Sequence, residues 1–211
     1  QEVRASKVTI NIFYEPPFGW SLSFEDDGLG MDYTGEEEPT KKGRLDRFLD
    51  LSYSGVMGLN TDEFSYKGLG AKLMYLCKRL EIETKTENGK SYKVIVDDPR
   101  CKLLKKEPEK PEPQIYEDSP VNFSHGTVIK ILGYDNGVKY DEYEDEYKLD
   151  DFLYFRTIVG CTIPERIKTL PKIFVNTPST HNEEIEIGYD WIGKEGDHVE
   201  CQKIGVIETP I

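Results

Sequence analysis

Residues Lys7–Tyr14, KVTINIFY, set Val8, Ile10 and Ile12 alternately against polar partners, and a period of two belongs to a strand with one face buried. The stretch PPFGW then turns the chain, and Trp20–Phe24 alternates again, so the two runs predict a hairpin. A hairpin with one apolar face is not stable alone; it demands a larger sheet and a second layer to cover it. Its second strand also delivers Ser23–Asp32, SFEDDGLGMD, to a strand end, where loops commonly carry function. Two adjacent acids running into Gly-Leu-Gly and a methionine are not what a core asks for.

Further elements follow by the same reasoning. A short helix is predicted near Arg44–Leu51, where Leu45, Phe48, Leu49 and Leu51 supply an apolar face that suits ordinary packing. In YKGLGAKLMYLCKRL, Leu69, Leu73, Leu76 and Leu80 recur at helical spacing, predicting a glycine-started helix of about three turns. EIETKTENGKSYKVIV alternates on both sides of Asn88-Gly89, the strongest short hairpin signal. The prolines and charges of residues 102–120 predict an extended or disordered surface insert. HGTVIKILGY is the most apolar strand, a helix is read over Leu149–Val159, and KIFVNT, EEIEIGYDWIG and KIGVIETPI read as closing strands, the last two the start of a following domain from about residue 184. No internal repeat emerges.

With 211 residues, 37% of them hydrophobic and 32% charged, the chain suits one domain with a single core. Its 27 basic residues against 40 acids leave a net charge of -13, a field that repels phosphate backbones and anionic lipid. Direct nucleic-acid and membrane partners are not expected. A nucleotide-sized anion remains compatible, because backbone N–H groups and local lysines overrule global charge.

The four cysteines, at 77, 101, 161 and 201, form no C-x-x-C pair and read as reduced thiols. No apolar run approaches the ~18 residues of a membrane span and no signal-peptide plan is present, so a cytoplasmic location is expected. Asp135 and Asn136, within an acidic tyrosine-rich run, lack calcium-loop spacing, and His181 and His198 lack metal partners. The chain opens on Gln1 and enters a strand almost at once, as expected of a fragment of a longer protein.

Three separated motifs carry the functional signal: D-D-G-L-G-M at 26–31, K-G-L-G-A-K at 67–72 and H-G-T-V at 125–128. Each alone is weak, since G-x-G at a strand end is usually a tight turn. The second is not a dinucleotide fingerprint, because Leu73 occupies the third glycine position, and it lacks Walker A spacing. In this order, over most of the chain, the three resemble the GHKL (Bergerat-fold) ATPases: gyrase-type topoisomerases, heat-shock chaperones of the ninety-kilodalton class, sensor histidine kinases and MutL-type repair proteins. The resemblance implies a two-layer α/β sandwich with a mixed, mostly antiparallel sheet and helices on one face.

It also implies ATP as ligand. Asp26 would accept the adenine amino group, Gly28 and Gly30 would let the chain approach the nucleotide, and Met31 would line the pocket. Lys67, Gly68, Leu69, Gly70, Ala71 and Lys72 would form the phosphate cradle at a helix start, although each lysine also reads as a solvated one. Thr127 would help to hold the acid and a water. Residues 32–70 would form a mobile lid.

In these ATPases the general-base glutamate and the Mg2+-holding asparagine lie on a helix before the first strand. Here both would fall upstream of Gln1, so no catalytic or metal-ligating residue is assigned within the chain, and Glu2 at a frayed terminus is a poor substitute. Expected partners are ATP or ADP, other domains of a larger chain and a nucleotide-dependent second copy. Alternatives are a nucleotide-binding regulatory or interaction module that never turns over ATP, and a histidine-kinase-type domain. The insert and the G-T strand suit the chaperone and repair branches better than the kinases.

Overall fold

A computed structural model describes residues 5–38, 40–51, 73–134, 171–178 and 181–185. The two alternating runs at the start become β1 (Lys7–Glu15) and β2 (Gly19–Asp26), paired antiparallel from Val8↔Asp26 to Glu15↔Gly19. After α1 (Arg44–Leu49) come β3 (Arg79–Lys85), β4 (Ser91–Asp97), α2 (Pro99–Leu103), β5 (Gln114–Glu117), β6 (Gly126–Leu132), β7 (Lys172–Asn176) and β8 (Glu183–Ile185). The strands form one mixed sheet in the order β5-β4-β3-β6-β2-β1-β7-β8. Of the neighbours with assigned register, only β1 and β7 run parallel.

The chain divides into two compact units, Gln1–Val138 with Pro171–Glu184, and Lys139–Leu170 with Ile185–Ile211. The described residues belong to the first apart from Ile185. Among them no helix is long and apolar enough to cross a membrane, and Cys77 and Cys101 are free thiols.

Register decides which side chains share a face, because directly opposed residues project the same way. Leu22 opposes Ile131 and Phe24 opposes Ile129; Leu80 and Ile82 oppose the same two from the other side and meet Val96 and Val94 beyond. Leu45 and Leu49 of α1, with Tyr75 and Cys77, close over these rows to complete the core. Each fully buried aliphatic side chain contributes roughly 1.5–3 kcal/mol. Residues 40–51 of the predicted lid are thus anchored: Leu45 is completely buried, and Phe48 and Leu51 pack against the same core.

Around Asn11 the opposite face carries a polar cluster. Asn176 Nδ2 donates to Asn11 Oδ1 at 2.7 Å, and Asn11 Nδ2 donates to Ser23 Oγ at 2.7 Å and Glu25 Oε1 at 2.8 Å. These bonds run across the parallel and antiparallel neighbours of β1.

Two sequence expectations change. The leucine repeat does not continue as helix to Leu80, which lies in β3 and is fully buried, whereas Leu73 is 56% exposed. Lys78 N–H already bonds to Leu132 O at 3.0 Å, so pairing with β6 captures the chain there. The predicted insert is not all loop: Gln114–Glu117 pairs with β4 as an edge strand, with prolines beside it, which an edge tolerates. The hairpin around Asn88-Gly89 forms as expected, β3 pairing with β4, its loop held by Thr86 N–H on Lys90 O and Gly89 N–H on Thr86 O, each at 2.9 Å. The helix read over Leu149–Val159 and the strand KIGVIETPI lie outside the described residues, as does EEIEIGYDWIG beyond Ile185.

Candidate functional site

Asp26 is the last residue of β2 and stands opposite Thr127 at the start of β6. Thr127 in turn opposes Thr84 on β3. These three form one row on the core face, the polar continuation of the Leu22-Ile131-Leu80 and Phe24-Ile129-Ile82 rows. Thr84 is fully buried and Thr127 is 5% exposed. A polar row closing an apolar face can receive a ligand that has both an apolar body and polar groups.

The two adjacent acids receive opposite environments. Burial pushes the Asp26 carboxyl above its ordinary value; the Gly28 N–H on Oδ1, at 2.9 Å, pulls the other way and the charge of Asp27 adds to the rise. Among the described residues no donor meets Asp26 Oδ2. Asp27 is a structural clamp: Oδ1 accepts Ser6 N–H at 2.7 Å and Lys7 N–H at 2.9 Å, and Oδ2 accepts the Ser6 hydroxyl. Burial opposes its charge, but the Ser6 hydroxyl and the two N–H groups outweigh this and hold the carboxyl below its ordinary value. Neighbouring acids driven apart in this way mark a division of roles.

The glycine segment is tied at several points. Gly30 adopts φ +69, and a Cβ there would sit 2.0 Å from Lys85 O, so its missing side chain admits the protein's own β3 end. Met31 N–H donates to Thr84 Oγ1 at 2.7 Å, and its side chain packs against the core. Gly28 O lies 2.8 Å from His125 Nδ1; a carbonyl only accepts, so that nitrogen carries the proton. Asp32 holds the start of α1, its carbonyl accepting Leu45 N–H at 2.9 Å and its Oδ1 accepting Arg44 N–H at 3.2 Å. Asp46 caps the same helix from within, its Oδ2 accepting Gly43 N–H at 2.9 Å.

Asp26, Gly28, Gly30, Met31 and Thr127 are therefore gathered at the ends of β2, β3 and β6. Lys67, Gly68, Leu69, Gly70, Ala71 and Lys72 lie outside the described residues. Sequence reasoning missed Thr84, the tether made by His125, and Gly126, whose φ is +122 and whose Cβ would lie 2.1 Å from Asp26 O. Thr84 had left a signal, as the one hydroxyl in the buried alternation Leu80-Ile82-Thr84. Among the described residues no three of His, Cys, Asp and Glu converge in a group that could hold a metal ion.

No protein-family model and no curated protein matches the chain. Solved structures do match. The ATPase region of Saccharomyces cerevisiae topoisomerase II aligns with a TM-score of 0.55 at 15% identity, over 96% of this chain and 47% of that one. The same region bound to dexrazoxane gives 0.55 at 15% identity, over 87% and 44%. The 43K ATPase domain of Thermus thermophilus gyrase B, in complex with an aminocoumarin, gives 0.50 at 15% identity, over 87% and 40%. The chain thus spans less than half the length of each. At such identity the fold is what is shared, and function must be argued from the site. With helices against one face of a mixed eight-stranded sheet among the described residues, the chain has the Bergerat α/β sandwich fold that these topoisomerase II and gyrase B ATPase regions display.

Proposed function

We propose that this chain binds ATP at the row formed by Asp26 and Thr127. The observation that carries the reading is the state of Asp26. One carboxylate oxygen is held by the protein through Gly28 N–H, and the other, on a half-buried acid at the edge of an apolar face, has no donor among the described residues. A carboxylate in that position accepts from an exocyclic amine and is mismatched to an oxo group. Adenine supplies the amine, and its ring covers the apolar residues beside it, Met31 among them.

In the same proposal the segment from Lys67 to Lys72 holds the phosphates through glycine N–H groups, and residues beyond the anchored α1 close over the nucleotide. Closure of this kind couples binding to rearrangement in a longer chain or to pairing with a second copy. Asp26 and Thr127 recognise the base; neither is placed to activate water. Binding, not turnover, is what these residues perform.

Calorimetry with ATP on the full chain and on Asp26→Asn tests the reading. Asparagine preserves the acceptor for Gly28 N–H but turns an amide donor toward the amine, so affinity is expected to fall by about tenfold or more. Equal affinity in the two proteins overturns the proposal.

A further inference from the structure

Thr84 Oγ1 has three partners and one proton. Met31 N–H, at 2.7 Å, can only donate to it. Gly126 O, at 3.1 Å, can only accept from it. Thr127 Oγ1, also at 3.1 Å, can take either role. A hydroxyl has one donor and two acceptor sites, so with its proton on Gly126 O and one lone pair on Met31 N–H, Thr84 has only its second lone pair for Thr127. In this arrangement, the one that makes all three contacts of Thr84 hydrogen bonds at once, the Thr127 proton points to Thr84. Both residues are buried, where a hydroxyl contact left unmade is costly, so this fully bonded orientation is favoured before any ligand arrives.

We infer that Thr84 is a specificity-determining positioning residue: it draws the Thr127 proton away from Asp26 and leaves Thr127 an acceptor only. This rests on the adenine-binding reading and goes beyond it. Asp26 as a carboxylate is also acceptor-only, so the Asp26-Thr127 pair demands hydrogen-bond donors from whatever meets it, an amino group or a water donating both protons. A purine with an oxo group at position 6 brings an acceptor to two acceptors and is refused. Without Thr84, the Thr127 proton is free to rotate toward such an oxo group, and the refusal weakens while the acid remains in place.

The test compares ATP with inosine triphosphate by calorimetry on the full wild-type chain, Thr84→Val, Thr84→Ser and Asp26→Asn. Wild type is expected to prefer ATP by about tenfold or more, the scale of one mismatched buried polar pair. Thr84→Val should narrow that preference several-fold, chiefly by gaining affinity for inosine triphosphate, and Thr84→Ser, which keeps the hydroxyl, should restore it. General loosening of the site would weaken both nucleotides together and would not be rescued in the ratio. Where Thr84→Val does not fold, Thr84→Cys, similar in bulk but weak as donor and acceptor, carries the same expectation. An unchanged ratio in the valine or cysteine variant, or a lost ratio in the serine variant, overturns the inference while ATP binding stands. A wild type that binds neither nucleotide removes the adenine reading and this inference with it.

Discussion

At the scale of single residues, the site depends on a carboxyl group that the fold does not favour as an anion. Burial raises the pKa of Asp26, so folding prefers its protonated form. The associated stabilisation is complete below the pKa of the unfolded chain and is lost as pH rises through the higher folded value. Asp26→Asn removes that titration. Urea denaturation should show the variant gaining on wild type as pH rises above the ordinary aspartate value of about 4, even as it loses ATP. Gly126 has the converse role, with no chemistry and strict geometry. Because its φ is +122 and a Cβ would lie 2.1 Å from Asp26 O, Gly126→Ala should cost on the order of 3 kcal/mol in thermal unfolding. The D-D-G and H-G-T motifs were legible as residues, but their partners were not. The alternation Leu22-Phe24-Asp26 already places Asp26 on the apolar face, but nothing local says that Asp27 clamps Ser6 and Lys7 or that Asp26 meets Thr127 across β2 and β6.

At the scale of elements, local signals sufficed where an element's pattern was also its environment. The β1–β2 hairpin, α1, the hairpin around Gly89 and the apolar β6 follow from alternation, helical spacing and turn residues. They failed where a neighbour outweighed the pattern. Leu73, Leu76 and Leu80 have helical spacing, yet the chain at Lys78 is taken up by β6, and Leu80 becomes a strand residue. Two substitutions separate the readings. Leu80→Ala should cost about 2–5 kcal/mol, as for a buried leucine, and Leu73→Ala, at a position 56% exposed, no more than about 0.5 kcal/mol. Urea denaturation reads both, and comparable costs would restore a common helical face. β5 was hidden for a related reason: a proline-rich, charged composition argues against a core, but an edge strand needs only one partner, and β4 provides it through Tyr92, Lys93, Val94 and Ile95.

At the scale of the whole molecule, net charge and fold make separate statements. A charge of -13 opposes duplex DNA by long-range repulsion, and the full chain should not retard a DNA duplex in a gel at about 0.15 M salt, where only short-range contacts escape screening. Retardation at micromolar protein would show a basic surface that the net charge conceals. The sequence by itself determined the strand-rich α/β class, the strand end that carries the acids, and the motif set that resembles an ATP site. These are properties of residue type, period and spacing, which a chain possesses before it folds. Tertiary structure alone decided the strand order, the row Asp26 shares with Thr127 and Thr84, and the tethers from His125 and Lys7 to the glycine segment. Thr84 lies 43 residues from Thr127 and 53 from Met31. Hydrogen bonds of that separation exist only once the sheet has brought the strands together, so no local pattern encodes them.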